Sequence, residues 1–198
     1  MLAIAGLGVV VLAGILALVA FSGGDGGSAA IGSRYCTERS FPGLQPAHRN
    51  TPEAKPDYNS DPPSSGPHYA QWAPWQWYDD PVRQTILVHN LEHGGVVIQY
   101  GSEVSESDVQ ELQSFYQDDP NGLVVAPLPR LGNKFALTAW NAPPYDRTEE
   151  DVAEVDAGNG YVMTCTRFDR GAFEEFRDER RGKGGERFPV DELVPGSQ

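Results

Sequence analysis

Two histidines and a glutamate lie within five positions of one another, at His89, Glu92 and His93 in the segment H-N-L-E-H-G-G. Imidazole nitrogens and carboxylate oxygens are the usual protein ligands of zinc, copper and iron. Local clustering of such residues lowers the entropy lost when they gather around an ion. The segment therefore predicts a metal site. The alternative is that each histidine is a solvated or hydrogen-bonded side chain near a turn.

Two longer motifs contain these residues and one further histidine. They are Y-N-S-D-P-P-S-S-G-P-H-Y at 58–69 and V-H-N-L-E-H-G-G-V-V-I at 88–98. Both closely resemble the signature of the family catalogued as domain of unknown function 3105, and the match extends through L-T-A-W-N at 137–141. The resemblance implies a bacterial-type protein with an N-terminal membrane segment. It also implies motif histidines at His68, His89 and His93.

If the loop that carries His68 packs near the 89–93 turn, three imidazoles converge on one point. Met163 is a candidate fourth ligand, because it shares a strand face with Cys165, two positions later. The alternative for Met163 is an ordinary core methionine. Imidazoles with a thioether favour copper, whereas histidines with Glu92 and water favour zinc, and we place copper ahead. His48 is separate in sequence, so we leave it out of this set.

Two other functions compete with metal binding. H-x-x-E-H at 89–93 matches an inverted zinc-protease motif, in which two helical histidines bind zinc and the glutamate activates water. That mechanism requires a stable helix, and Gly94 and Gly95 with β-branched neighbours argue against one here. The histidines could instead be hydrogen-bonded core residues of a structural or protein-interaction domain. We favour a binding domain over an enzyme.

The N-terminus predicts attachment to a membrane. Residues 2–21 are 20 consecutive apolar or glycine positions, enough for a helix to cross a bilayer. We interpret 1–21 as a single-pass anchor rather than a cleaved signal, and the Gly/Ser-rich residues 22–32 as a flexible linker. Residues 33–198 then form one extracytoplasmic domain at the cell membrane.

Charge and cysteine content limit the partners and the compartment. The net charge of -13 disfavours non-specific binding to nucleic acid and favours cations. Cys36 and Cys165 are the two cysteines, and behind a membrane anchor they predict a disulfide, with a Cys165 thiolate ligand as the alternative. The protein partner is not identified by any motif, so the expected partners are a metal ion and the lipid bilayer.

Periodicity along the domain predicts an α+β fold with a largely antiparallel sheet and two or three helices. A long Pro- and Trp-rich irregular segment over 41–80 should lie across a sheet face or wall a pocket. The predicted strands are 85–88, 96–100, 123–127, 134–140 and 161–168, and the predicted helices begin at the caps Ser105 and Asp169. The acidic residues 149–156 are expected to be an exposed connection.

Overall fold

The computed structural model describes residues 33–145 and 154–198. These residues form seven strands and three α-helices, with one short 3-10 turn at Pro129–Leu131. The elements in chain order are β1 (Cys36–Pro42), β2 (His48–Arg49), β3 (His68–Tyr69), α1 (Gln84–Glu92), β4 (Val96–Tyr100), α2 (Glu106–Asp118), β5 (Leu123–Pro127), β6 (Phe135–Asn141), β7 (Asn159–Cys165) and α3 (Arg170–Arg180).

The main sheet has five strands in the order β1-β7-β6-β4-β5. Strands β1, β7, β6 and β4 pair antiparallel in succession, whereas β5 runs parallel to β4. The α+β class with three helices is therefore confirmed, but the sheet is mixed. The parallel pair arises because α2 connects β4 to β5 as a crossover, which returns the chain in the same direction.

Side chains alternate between the two faces of the sheet, and each face has its own apolar cluster. One cluster joins Ile98 and Leu137 to the buried faces of α2 and α3 through Phe115 and Phe173. The other cluster contains Val97, Val124, Trp140 and the α1 residues Leu87, Val88 and Leu91. Helix α1 therefore covers the face opposite to α2 and α3.

The predicted helix caps at Ser105 and Asp169 are present. The Ser105 hydroxyl accepts a hydrogen bond from the Asp108 backbone N–H, and the Asp169 carboxylate accepts one from the Ala172 N–H. Each cap satisfies one of the backbone donors that the first helical turn leaves free. The predicted starts of α2 and α3 are therefore confirmed.

The prediction of a strand at 85–88 was wrong. These residues lie in α1, which continues to Glu92 and ends with His93 as its C-cap. Seven of its nine residues are buried, so packing on the sheet outweighs the β preference of the local sequence. Gly94 follows at φ 87°, a conformation that favours glycine and prevents the helix from continuing.

The segment 41–80 is irregular apart from the end of β1 and the two-residue strands β2 and β3. Two of its three tryptophans pack on the apolar clusters of the sheet, as expected. Trp75 is 1% exposed in the α1-side cluster, and Trp77 packs on the other cluster and bridges to Val125 of β5. The side chain of Asn90 in α1 binds both backbone groups of Ala73, which fixes the segment to the helix.

Cys36 and Cys165 form a disulfide between β1 and β7, where they are direct partners in the strand register. The thiolate-ligand alternative for Cys165 is therefore excluded. Strand β1 itself was not predicted, because its sequence C-T-E-R-S-F-P contains a single strongly apolar side chain besides the cysteine. Glu38 of β1 is buried, and its carboxylate forms a salt bridge with Arg180 of α3 at 2.6 Å.

The predicted anchor at 1–21, the linker at 22–32 and the first part of the acidic connection, up to residue 153, lie outside the described residues. Among the helices of 33–145 and 154–198, none has the length and apolar character needed to span a bilayer.

Candidate metal centre

The four histidines of the chain, at positions 48, 68, 89 and 93, meet beside the C-terminal end of α1. Ring centroids of His68 and His89 are 4.6 Å apart, and those of His89 and His93 are also 4.6 Å apart. His48 lies 5.1 Å from the His68 ring and 5.2 Å from the His89 ring. Such a gathering of imidazoles in an acidic protein is typical of a transition-metal site.

Backbone pairing places two of these rings. Strands β2 and β3 run parallel with His48 opposite His68, and the His68 N–H donates to the Ala47 carbonyl at 3.0 Å. His48 is exposed, whereas His68 is fully buried. The pair therefore presents one imidazole from the solvent side and one from the interior.

Backbone carbonyls fix the tautomers of the two buried rings. Nδ1 of His68 lies 2.8 Å from the Gly66 carbonyl oxygen, and Nδ1 of His89 lies 2.8 Å from that of Tyr69. Because a carbonyl oxygen only accepts, each Nδ1 carries the proton, and a neutral ring then has its lone pair on Nε2. Carbonyl partners of this kind orient the histidine ligands of known metal sites.

His89 is neutral at physiological pH. Burial, together with the neighbouring His68 and His93 rings, lowers the pKa of His89 to about 3. Its Nε2 lone pair is therefore available as an electron-pair donor without loss of a proton.

Glu92 supplies a carboxylate to the same point. Its Oε2 lies 2.9 Å from Nε2 of His68 and 4.0 Å from Nε2 of His89. Burial raises the pKa of Glu92, but the His68 ring and the Tyr145 hydroxyl outweigh that effect, so the pKa is lowered and the group is an anion. The Glu92 side chain is only 2% exposed.

Two atoms of this cluster lack a hydrogen-bond partner among the described residues: Nε2 of His68 and Oε2 of Glu92. They lie 2.9 Å apart, so a single cation between them would contact both. The other carboxylate oxygen, Oε1, accepts a hydrogen bond from the Tyr145 hydroxyl. Burial and the adjacent Glu92 charge raise the pKa of Tyr145 well above its usual range, so it remains a donor.

A second group lies beside the first. Nε2 of His93 is 3.1 Å from Oε2 of Glu186, and these two residues with His89 bring three ligand atoms within 4.8 Å of one another. Burial raises the pKa of Glu186, but the His93 ring outweighs that effect and the pKa is lowered. The corresponding first group is His48, His68, His89 and Glu92, also within 4.8 Å.

The glycine-rich segment after α3 reaches this site from the far end of the chain. The Glu186 N–H donates to the Glu92 carbonyl at 3.1 Å, and the Gly182 N–H donates to the Gly94 carbonyl at 2.7 Å. A side chain at Gly185 would meet the Tyr145 ring, since an added Cβ would lie 2.0 Å from a ring carbon. Glycine there lets Tyr145 reach Glu92.

The structure brings together most of the residues predicted from sequence. His68, His89 and Glu92 lie in one group, and His93 lies in the adjoining group with Glu186. Met163 is not brought to either, because it is fully buried in the cluster beneath α2 and α3, on the other face of the sheet from α1.

Three residues of the candidate site were missed from sequence. His48 was set aside because of its distance along the chain, Tyr145 stands alone after two prolines, and Glu186 lies in a charged tail. Only the run G-K-G-G-E at 182–186 offered a signal, since consecutive glycines permit a close backbone approach.

Comparison with family models finds one match, over residues 49–185, to the family described as "Protein of unknown function (DUF3105)". The matched range contains His68, His89, Glu92, His93 and Tyr145, and it ends one residue before Glu186. Searches of curated proteins and of solved structures each found no match.

Proposed function

The chain belongs to the DUF3105 family, and we propose that its domain binds one divalent transition-metal ion. The ligands are His68, His89 and Glu92, with His48 completing the set from the solvent side. Four ligands of this type match the usual coordination number of zinc, and three nitrogens with one oxygen also suit copper(II).

One observation carries this proposal: within 33–145 and 154–198, the buried Oε2 of Glu92 has no hydrogen-bond partner, and it lies beside the Nε2 atoms of His68 and His89, whose Nδ1 atoms are bonded to backbone carbonyls. Oε2 of Glu92 and Nε2 of His68 lie 2.9 Å apart, so one cation, a proton or a metal ion, is needed between them. A metal ion that replaces the proton contacts both atoms. Two ligands of a tetrahedral zinc lie about 3.4 Å apart, which falls between the 2.9 Å and 4.0 Å separations found here.

The ligand set alters the preference for the metal. Copper was favoured while Met163 was a candidate ligand, because a soft thioether stabilises copper(I). With Met163 in the opposite core cluster, the donors are imidazoles and one carboxylate. We therefore propose zinc ahead of copper.

The role that fits this site is metal handling or sensing at the cell membrane. The exposed His48 gives an ion a route to the buried ligands. The acidic chain attracts cations, and the apolar residues 2–21 support an anchor that would hold the domain outside the cytoplasm. A structural zinc is more often enclosed by four buried ligands.

A hydrolase is a second candidate, and one observation favours it. The motif H-N-L-E-H does lie on a helix, contrary to the argument from sequence, and Glu186 adds a distant carboxylate beside His93. However, Glu92 would have to activate water, and it is buried with one oxygen bonded to Tyr145 and the other against His68. With Oε1 bonded to Tyr145 and Oε2 proposed as a metal ligand, Glu92 is not placed to act as a general base, so we rank the hydrolase second.

Equilibrium dialysis of the full-length chain against zinc tests the proposal. We expect one zinc per chain in the wild type, and at least tenfold weaker binding in both His89→Ala and Glu92→Gln. Glu38→Gln is the matched control, because Glu38 is equally buried but paired with Arg180. It should bind zinc like the wild type. A wild-type chain that binds no zinc or copper would support a structural or interaction domain instead. Metal-dependent hydrolysis lost in Glu92→Gln with metal retained would support the hydrolase.

A further inference from the structure

His89 is common to both groups of ligand atoms at this site. Its Nδ1 is bonded to the Tyr69 carbonyl, so Nε2 is its one free nitrogen. A single imidazole nitrogen binds one metal ion at a time. The two groups therefore cannot both be filled through His89.

We propose that one ion exchanges between two adjoining positions that share His89. The inner position is formed by His48, His68, His89 and Glu92, and the outer position by His89, His93 and Glu186. This inference rests on the proposed function, and it adds a path by which the ion moves through the domain.

The ligands of the outer position are also held in place by neighbouring residues. The His93 ring packs against both Trp72 and Phe188, at centroid distances of 4.3 Å and 4.4 Å. Glu186 is fixed through its backbone, since its N–H donates to the Glu92 carbonyl. Both ligands are thus positioned by contacts that do not involve an ion.

The two positions differ in ligand number and in access. The inner one has three imidazoles and a carboxylate, whereas the outer one has two imidazoles and a carboxylate, so the inner position binds more tightly. The inner position opens to solvent at His48, and the outer one opens at Glu186, whose side chain is 19% exposed. A cavity of about 170 Å³ also borders His93 and Phe188. An ion that enters at one end can therefore leave at the other, which suits delivery to a partner.

Titration of the full-length chain with cobalt(II) tests this inference, because the visible spectrum of cobalt reports its ligands and geometry. The wild type should bind one equivalent. His68→Asn keeps a donor for the Gly66 carbonyl, and it should still bind one equivalent, at least tenfold more weakly and with a changed spectrum. Glu38→Gln lies outside both positions and should leave the wild-type titration and spectrum unchanged. Glu186→Gln alone should still bind one equivalent, because the inner position is intact, with any outer-position component of the spectrum lost. Glu186→Gln combined with His68→Asn should bind at least tenfold more weakly than His68→Asn alone, because only His48, His89 and Glu92 of the inner position then remain.

The dependence on Glu186 only when His68 is absent is the decisive result. Two equivalents in the wild type would mean independent sites and would overturn the inference. No binding by His68→Asn would mean that the inner position acts alone, and Glu92→Gln gives a second test if His68→Asn does not fold. Loss of wild-type binding in Glu186→Gln would mean a single joint site. A wild type that binds no cobalt and no zinc would remove the proposed function itself, which is a separate outcome.

Discussion

The neutral state of His89 makes the stability of the metal-free protein depend on pH. In the folded chain the pKa of His89 is about 3, against 6.5 when it is unperturbed. Between these values the unfolded chain binds the proton and the folded chain does not. The contribution of neutral His89 to the free energy of unfolding is therefore fully present above pH 6.5. It is lost as pH falls from 6.5 towards 3.

The size of this loss follows from the two pKa values. Each unit below 6.5 costs about 1.4 kcal/mol, so the free energy of unfolding should fall by about 1.4 kcal/mol between pH 7.5 and 5.5 on account of His89. In His89→Asn the amide can still donate to the Tyr69 carbonyl, but the side chain does not titrate. This variant should lack that part of the pH dependence.

Urea denaturation in the presence of a chelator, at the two pH values, measures the effect. The exposed His48→Asn serves as the control and should keep the wild-type pH dependence. Equal pH dependence in His89→Asn and the wild type would contradict a lowered pKa of His89. It would mean that His89 in the folded chain takes up a proton as readily as in the unfolded chain.

Three further changes test the contact between Tyr145 and Glu92 and the role of the disulfide. Tyr145→Phe removes the hydrogen bond that orients Glu92, and it should weaken zinc binding about 10- to 100-fold by calorimetry. Gly185→Ala should weaken binding in the same direction, because the added methyl group displaces Tyr145; unchanged affinity in both would contradict a role for this contact. Replacing Cys36 and Cys165 together by serine should lower the free energy of unfolding by about 5 kcal/mol, from a loop of 129 residues. Zinc stoichiometry should stay the same, since the disulfide lies in the other core cluster.

Local signals in the sequence predicted α2, α3 and the interior strands well. Ser105 and Asp169 are caps with a direct physical effect on the first helical turn. Helix α1 was missed because its sequence T-I-L-V favours a strand, and only its burial between the sheet and the segment 41–80 makes it helical. Tertiary packing of this kind leaves no trace in the local pattern.

The candidate site was predicted in part for a similar reason. His89, Glu92 and His93 lie close together in the chain, so their shared role was visible. His48 reaches the site through a two-residue parallel pairing with His68, and Glu186 through hydrogen bonds of a glycine-rich tail. Pairings this short and this distant in sequence have no periodicity to reveal them. Met163 was predicted as a metal ligand because strand alternation places it on the same face as Cys165. The alternation does not show which face of the sheet carries the histidines, and Met163 lies on the other one.

Anomalous diffraction at the zinc edge, from crystals of the protein grown with zinc, shows directly whether an ion occupies the inner position. One principal peak is expected within about 2.3 Å of Nε2 of both His68 and His89 and of Oε2 of Glu92. Crystals with no peak at these atoms, or with zinc only at surface carboxylates, would contradict the proposed metal site.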